Sequence, residues 1–201
     1  MTNHWHEKFK NEIYMYGKEA NAFVREIAER LPENVKILCI AEGEGRNAVY
    51  LASLGHDVTA WDYAQSGLDK TENLAKEQGV KVQTVLCDLA KVDWEQEAAS
   101  WDVIVHIFGH LPKEIMDRTI EGVQQALVVG GSYVSEMYTT EQLDYGTGGP
   151  PTKSMLIEPA TFLQAFSQFF ITHFYVGEVV RHEGVSHTGK SHVVQSFLRK
   201  R

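Results

Sequence analysis

A chain of 201 residues, 43% hydrophobic and 23% charged, is long enough for one domain with a sizeable core and too short for two comfortable ones. No apolar run approaches the ~20 residues of a membrane span, and a net charge of −8 leaves no basic stripe to neutralise nucleic-acid phosphates. The opening residues, "MTNHWHEKFK", lack the apolar core of a signal peptide; the expectation is a cytoplasmic protein, monomer or homodimer, that meets a small molecule rather than a nucleic acid or a membrane.

The pattern alternates helix and strand. From Glu19 to Leu31, Phe23, Ile27 and Leu31 recur four apart with Val24 and Ala28 alongside, which predicts an amphipathic helix stopped by Pro32. "VKILCIA", Val35 to Ala41, is the nearly all-apolar run of a central parallel strand. "RNAVYLASLG" predicts a helix closed by Gly55, "HDVTAWD" a second strand and "SGLDKTENLAKEQG" a solvent-facing helix ending at Gly79. "KVQTVLCD" and "WDVIVHIF" read as the third and fourth strands. The helix "PKEIMDRTIEGVQQAL" then starts near Pro112, and "GGSYVSEMYT" makes a fifth strand. Glycine and proline crowd "DYGTGGPPTK", Asp144 to Lys153, which must be a loop. After one more helix, "PATFLQAFSQF", the alternating runs "ITHFYVGEVVRHE" and "SHVVQSFLRK" carry a hairpin signature. The two cysteines, Cys39 and Cys87, lie in strand-like runs and read as free thiols, neither a disulfide nor a metal site. The fold class expected is α/β: a Rossmann-like, seven-stranded, mostly parallel sheet with an antiparallel C-terminal hairpin and helices on both faces.

Two glycine stretches compete to define a ligand. "GVSHTGKS", Gly184 to Ser191, fits the phosphate-loop pattern G-x-x-x-x-G-K-[ST] at every position. A working phosphate loop joins a strand to a helix whose first amides hold the phosphates. Here the residues after Ser191 alternate as a strand, so the stretch is a connection between two strands and not a nucleotide site. "HEGVSH" spaces its histidines five apart with a glycine between, unlike a helical zinc pair, and no metal is expected.

"ILCIAEGEGRNAVYLA" has the right context: buried strand, glycine turn, helix. Gly43 and Gly45 let the backbone turn sharply and leave room for a ligand against the main chain. Read as G-x-G-x-x-A it fits the dinucleotide fingerprint, with Asp62 as the acid at the end of the second strand. Charge separates the candidates. A diphosphate beside ionised Glu42 and Glu44 would cost up to ~4 kcal/mol per close pair, whereas S-adenosylmethionine brings a sulfonium and an ammonium and no phosphate. Either glutamate can instead point to solvent. Asp88 ends the third strand, so Glu42, Asp62 and Asp88 converge on the carboxyl edge of the sheet, where open α/β sheets bind ligands.

The stretch "ILCIAEGEGRNAVYLASLGHDVTAWD" resembles motifs I and II of class I S-adenosylmethionine-dependent methyltransferases, and in particular the branch related to the tellurite-resistance methyltransferases. "YMYGKEAN", "IFGHLP", "QLDYGTGGP" and "EGVSHTGKSHVVQ" have counterparts there too. The class usually has an acid where Cys39 stands and a glycine where Ala41 stands. The resemblance implies a single methyltransferase domain over 1–201: an N-terminal helical lid over 1–32, a cofactor-binding core over 33–140, and a substrate-side loop, helix and hairpin over 141–201. It implies S-adenosylmethionine as cofactor and S-adenosylhomocysteine as product. Gly43 and Gly45 would approach the methionyl part, with Glu42, Glu44 and Asn47 beside them. Asp62 would bind the ribose hydroxyls, Tyr63 pack near the adenine, and Asp88 hold its amino group with the backbone of Leu89. His106 would lie near the sulfonium, or else be a core histidine. Tyr14 and Tyr16 would close over the methionine, or else pack as part of a helix.

In-line methyl transfer gains most from alignment and exclusion of water. A soft nucleophile such as a thiolate, selenite or tellurite needs little help from a base, while a hydroxyl or amine needs one. Candidates around the acceptor are His110, His187 and Arg181, with Tyr145 and Lys190 nearby. The function expected is methyl transfer to a small molecule, a thiol or a selenium or tellurium oxyanion among the options. An NAD-dependent oxidoreductase and a non-catalytic cofactor-binding module stay open.

Overall fold

The computed structural model describes residues 4–201. Strands β1 (Lys36–Ile40), β2 (Asp57–Asp62), β3 (Gln83–Leu86), β4 (Trp101–Ile107), β5 (Leu127–Tyr138), β6 (Phe169–Glu183) and β7 (His187–Lys200) form one sheet. Its order is β3-β2-β1-β4-β5-β7-β6. The first five strands pair in parallel, and β7 runs antiparallel between β5 and β6. Around it pack α1 (His4–Phe9), α2 (Ala22–Ala28), α3 (Arg46–Ser53), α4 (Gln65–Glu77), α5 (Lys113–Ala126) and α6 (Pro159–Ala165). No helix among the described residues is long and apolar enough to cross a membrane.

Successive side chains of a strand point to opposite faces, and β1 divides its residues accordingly. Ile37 and Cys39 join Phe23 and Ile27 of α2 and Leu51 of α3 in one core. Leu38 and Ile40 join Ile120 of α5 and Phe162 of α6 in the other. Because both faces are covered, the central strands read as apolar runs, without alternation. The strand order reverses direction between β1 and β4, and this switch point opens a crevice at the carboxyl ends of the strands.

Three elements differ from the periodicity. The second helix is only Ala22–Ala28, because Asn21 ends the preceding extended chain and caps it: its Oδ1 accepts from Val24 N–H at 3.1 Å. The capping amide also donates to Glu136 Oε2 at 2.6 Å, so the residues before it are spent on tertiary contacts. Helix α1 was not legible, as six residues are too few for periodicity. The C-terminal hairpin is longer than predicted. Its last rung is Glu183↔His187, which confines the turn to three residues. "GVSHTGKS" is therefore turn and strand, with no helix behind it. The N-terminal chain is sewn to this turn: Val185 N–H and Ser186 N–H donate to Met15 O at 3.0 and 3.2 Å.

Candidate functional site

The turn after β1 is made of left-handed residues. Ala41, Gly43 and Gly45 have φ of 49°, 70° and 89°. Gly45 cannot be replaced without moving α4, since an added Cβ would lie 2.6 Å from the Thr71 side chain. Asp62, 6% exposed, stabilises the turn from the next strand. Its Oδ2 accepts from Gly43 N–H and its Oδ1 from Ala64 N–H, both at 2.8 Å. Glu42 turns inward and caps α3, its Oε1 accepting from Asn47 and Ala48 N–H at 2.9 Å each. Burial pushes the Glu42 carboxyl up to about 7, with Asp62 adding to the effect against the two amides and Arg46. Burial likewise raises Asp62 to about 6 in spite of the amides it accepts from. Among the described residues neither carboxylate has a Lys, Arg or His within ion-pair distance.

Above this turn lies a cavity of about 300 Å³. Ala41, Glu42, Gly43 and Asp62 form one wall, with Tyr63, Asp88 and Leu89 beside them. The N-terminal segment contributes Trp5, Phe9 and Tyr16. The far wall comes from Phe108 to Pro112, Met155 and His187, and Arg46 and Asn47 stand between. The N-terminal segment is held down over it: Ser66 Oγ donates to His6 O at 2.7 Å, and Lys70 Nζ to Ile13 O at 2.8 Å.

The cavity thus brings together Tyr16, Glu42, Gly43, Asn47, Asp62, Tyr63, Asp88, Leu89, His110 and His187 of the residues singled out from sequence. The others do not line it. Glu44 is spent as a clamp, its Oε2 accepting from Met15 N–H at 2.8 Å and its Oε1 pairing with Lys70 at 2.7 Å. Its charge is therefore neutralised away from any ligand. Gly45 is occupied by α4, and the Tyr14 hydroxyl donates to Lys70 O at 3.0 Å. His106 is the core histidine of the two alternatives: fully buried, it bridges the Tyr133 hydroxyl and Gly109 O at 2.9 Å each. Burial lowers it to about 3. Arg181 lies behind the wall, paired with Glu136 at 2.7 Å and with its guanidinium 4.7 Å from the Phe108 ring centre. Tyr145 and Lys190 meet each other's partner, Glu178, at the exposed surface.

Neither histidine of the wall is equipped as a base. His110 Nδ1 donates to Met155 O at 2.9 Å while Nε2 accepts from Tyr138 N–H at 3.2 Å, so both nitrogens are committed. Burial lowers it to about 4. His187 is held neutral, lowered to about 2 by burial and then by Arg46, Arg181 and Lys8 around it. Its ring packs 4.4 Å from Tyr16 and 4.7 Å from Phe108, and its buried Nδ1 has no hydrogen-bond partner among the described residues.

Sequence reasoning missed Trp5, Phe9, Arg46, Phe108 and Met155. Trp5 and Phe9 are four apart in "WHEKF" and share a helix face, the one signal available. Arg46 was hidden in the motif itself. It points back to Glu183 at 2.7 Å and to Tyr16 O at 3.2 Å, so it joins the turn to both ends of the chain.

Known proteins resemble this chain in sequence and in fold. Residues 37–131 match the family model described as a methyltransferase domain. The probable S-adenosyl-L-methionine-dependent methyltransferase TehB of Haemophilus influenzae strain 10810 is 28% identical over 106 residues, covering 52% of this chain and 36% of TehB. The match thus spans little more than a third of that relative's length. The crystal structure of TehB from Haemophilus influenzae superposes with a TM-score of 0.71 at 21% identity, covering 90% of this chain and 63% of that one. A TehB-like methyltransferase from Corynebacterium glutamicum ATCC 13032 Kitasato gives 0.63 at 20% identity, covering 98% and 94%. The magnesium protoporphyrin IX methyltransferase of Synechocystis PCC 6803, solved with bound SAH, gives 0.65 at 15% identity, covering 89% and 80%. The stretch from residue 37 to residue 131, with the glycine turn inside it, is thus similar to a methyltransferase domain, and the chain shares the fold of these solved structures. TehB and TehB-like proteins recur among both the similar sequences and the similar structures.

Proposed function

We propose that this chain is an enzyme that methylates a small molecule at the expense of S-adenosylmethionine. The observation that carries the reading is the division of charge along one cavity. Glu42, Asp62 and Asp88 line the end over β1 to β3, while His187 lines the other, with Arg46, Lys8 and Arg181 around it. A cationic cofactor suits the first end and an anionic or polarisable acceptor the second. The cofactor supplies an electrophilic methyl group on a sulfonium. Glu42 and Asp62 would balance its positive charge, and Asp62 would also face the ribose. Asp88, whose Oδ1 accepts from Ala90 N–H at 3.1 Å, would present its remaining lone pairs to the adenine amino group beside Leu89 and Tyr63. Trp5, Phe9 and Tyr16 would exclude water.

The acceptor reading follows from what the histidines cannot do. With His110 committed on both nitrogens and His187 lowered to about 2, neither histidine would hold a proton taken from a hydroxyl or amine. A thiolate or an oxyanion of selenium or tellurium needs none, and the unpartnered His187 Nδ1 beside Arg46 offers it a polar contact. An NAD-dependent oxidoreductase is disfavoured by the two carboxylates at the turn, Glu42 and Asp62, that would have to carry a diphosphate. The test is formation of S-adenosylhomocysteine with a panel of thiols, selenite and tellurite. Turnover with at least one of them is expected. Tight cofactor binding with none of them turned over would favour the non-catalytic module.

A further inference from the structure

Glu42 and Asp62 sit at neighbouring strand ends, beside Gly43, and among the described residues every hydrogen bond they accept comes from a main-chain N–H. A buried carboxylate and a half-buried one satisfied by amides alone lack a counter-charge, and removal from water of that kind favours the neutral acid. The surrounding charges do not supply one. On β1, Cys39 is a fully buried thiol pushed up by burial. On α3, Arg46 is a cation acting on Glu42, and Glu183 holds it at 2.7 Å. From the end of β3, Cys87 and Asp88 face Asp62, the thiol raised by burial and by the acids around it. Tyr63, next in the chain, is raised by burial and by Asp62 and Asp88. His110, beyond β4, is neutral, Lys70 of α4 is paired with Glu44, and Lys8 of α1 lies over the Trp5 and Tyr16 rings.

We propose that Glu42 and Asp62 act as a proton-releasing counter-ion pair, partly protonated while the cavity holds no cation and ionised when a cationic cofactor enters. This rests on the methyltransferase reading but goes beyond it: uptake of the cofactor is an exchange of a cation for a proton, which passes to solvent. Asp62 sets one half and Glu42, at a position outside the usual acid of the motif, the other. With the two acids at about 7 and about 6, entry of a cation at pH 6.5 displaces about one proton, roughly three quarters of it from Glu42.

Titration calorimetry of the full chain with S-adenosylmethionine at pH 6.5, in phosphate and in imidazole, reads the proton directly. The binding heats are expected to differ by about one proton's share of the gap between the two buffers' ionisation enthalpies. Glu42→Gln keeps an oxygen for the α3 amides, and the difference should shrink to about a quarter. Binding with equal heats in both buffers would overturn the coupling alone, as would a Glu42→Gln chain that keeps the whole difference. Absence of binding by S-adenosylmethionine and S-adenosylhomocysteine in either buffer would overturn the methyltransferase reading and the coupling with it.

Discussion

Gly43 N–H donates to Asp62 Oδ2 at 2.8 Å, so the carboxylate that ends β2 also shapes the glycine turn that follows β1. One residue thereby serves the scaffold and faces the cavity, and its two duties are separable by experiment.

Asp62→Ala should weaken S-adenosylhomocysteine binding at least tenfold, about 1.4 kcal/mol. It should also cost about 1–3 kcal/mol of stability, because two buried amides lose their acceptor. Calorimetry reads the first and thermal melting the second. Unchanged affinity in a folded variant would remove Asp62 from the cofactor site.

Ala41 carries a Cβ at φ 49°, where L-residues are strained by roughly 1–2 kcal/mol. Ala41→Gly relieves this and gives back part of it through the looser unfolded chain. The expected net effect is a stabilisation of up to about 1 kcal/mol by denaturant titration, with cofactor affinity undiminished. A destabilised Ala41→Gly would contradict this account of the turn.

The sheet and the turn were legible because their signals are local: apolar runs five to seven residues long, glycines at positive φ, and acids at strand ends. Asp62 and Asp88 reach the cavity for that reason. Glu44, two residues from Glu42, could not be told apart from it in sequence. The turn sends one side chain to the cavity and the other to Lys70 and the N-terminal segment, a distinction made by residues 26 and 29 positions away. His106 and His110 likewise differ only in what the fold brings to their nitrogens. The aromatic cover from Trp5 and Phe9 depends on a short helix stabilised by docking, which leaves no pattern to read.

The Glu44 clamp predicts a separate phenotype. Glu44→Ala strips Lys70, 12% exposed, of its partner and frees two main-chain donors of the N-terminal segment. Breaking a buried pair in this way costs about 3–5 kcal/mol. Limited proteolysis should cut the first 20 residues sooner than in the parent chain, and affinity should fall because Tyr16 leaves the cavity wall. Resistance to proteolysis equal to the parent's would show that the segment is held by other contacts.

Stability should fall on acidification. His106, His110 and His187 have folded values of about 3, 4 and 2, below the ordinary 6.5, so the unfolded chain takes up protons first as pH drops through 6.5. Glu42 and Asp62 are raised, so the folded chain binds protons better and they stabilise over the same descent. Between pH 6.5 and 5 the three histidines withdraw more than the two carboxylates return, so the net effect is a loss of stability. Melting temperatures across this range check the sign. A protein more stable at pH 5 would mean that the histidines are not held neutral.

The most direct test of the central claim is calorimetry of the intact chain with S-adenosylhomocysteine beside NADH. A cavity bounded by Glu42, Asp62 and Asp88 predicts one site for S-adenosylhomocysteine with a dissociation constant below ~1 mM, and no heat with NADH. Saturable binding of NADH, or silence toward S-adenosylhomocysteine at millimolar concentration, would contradict it.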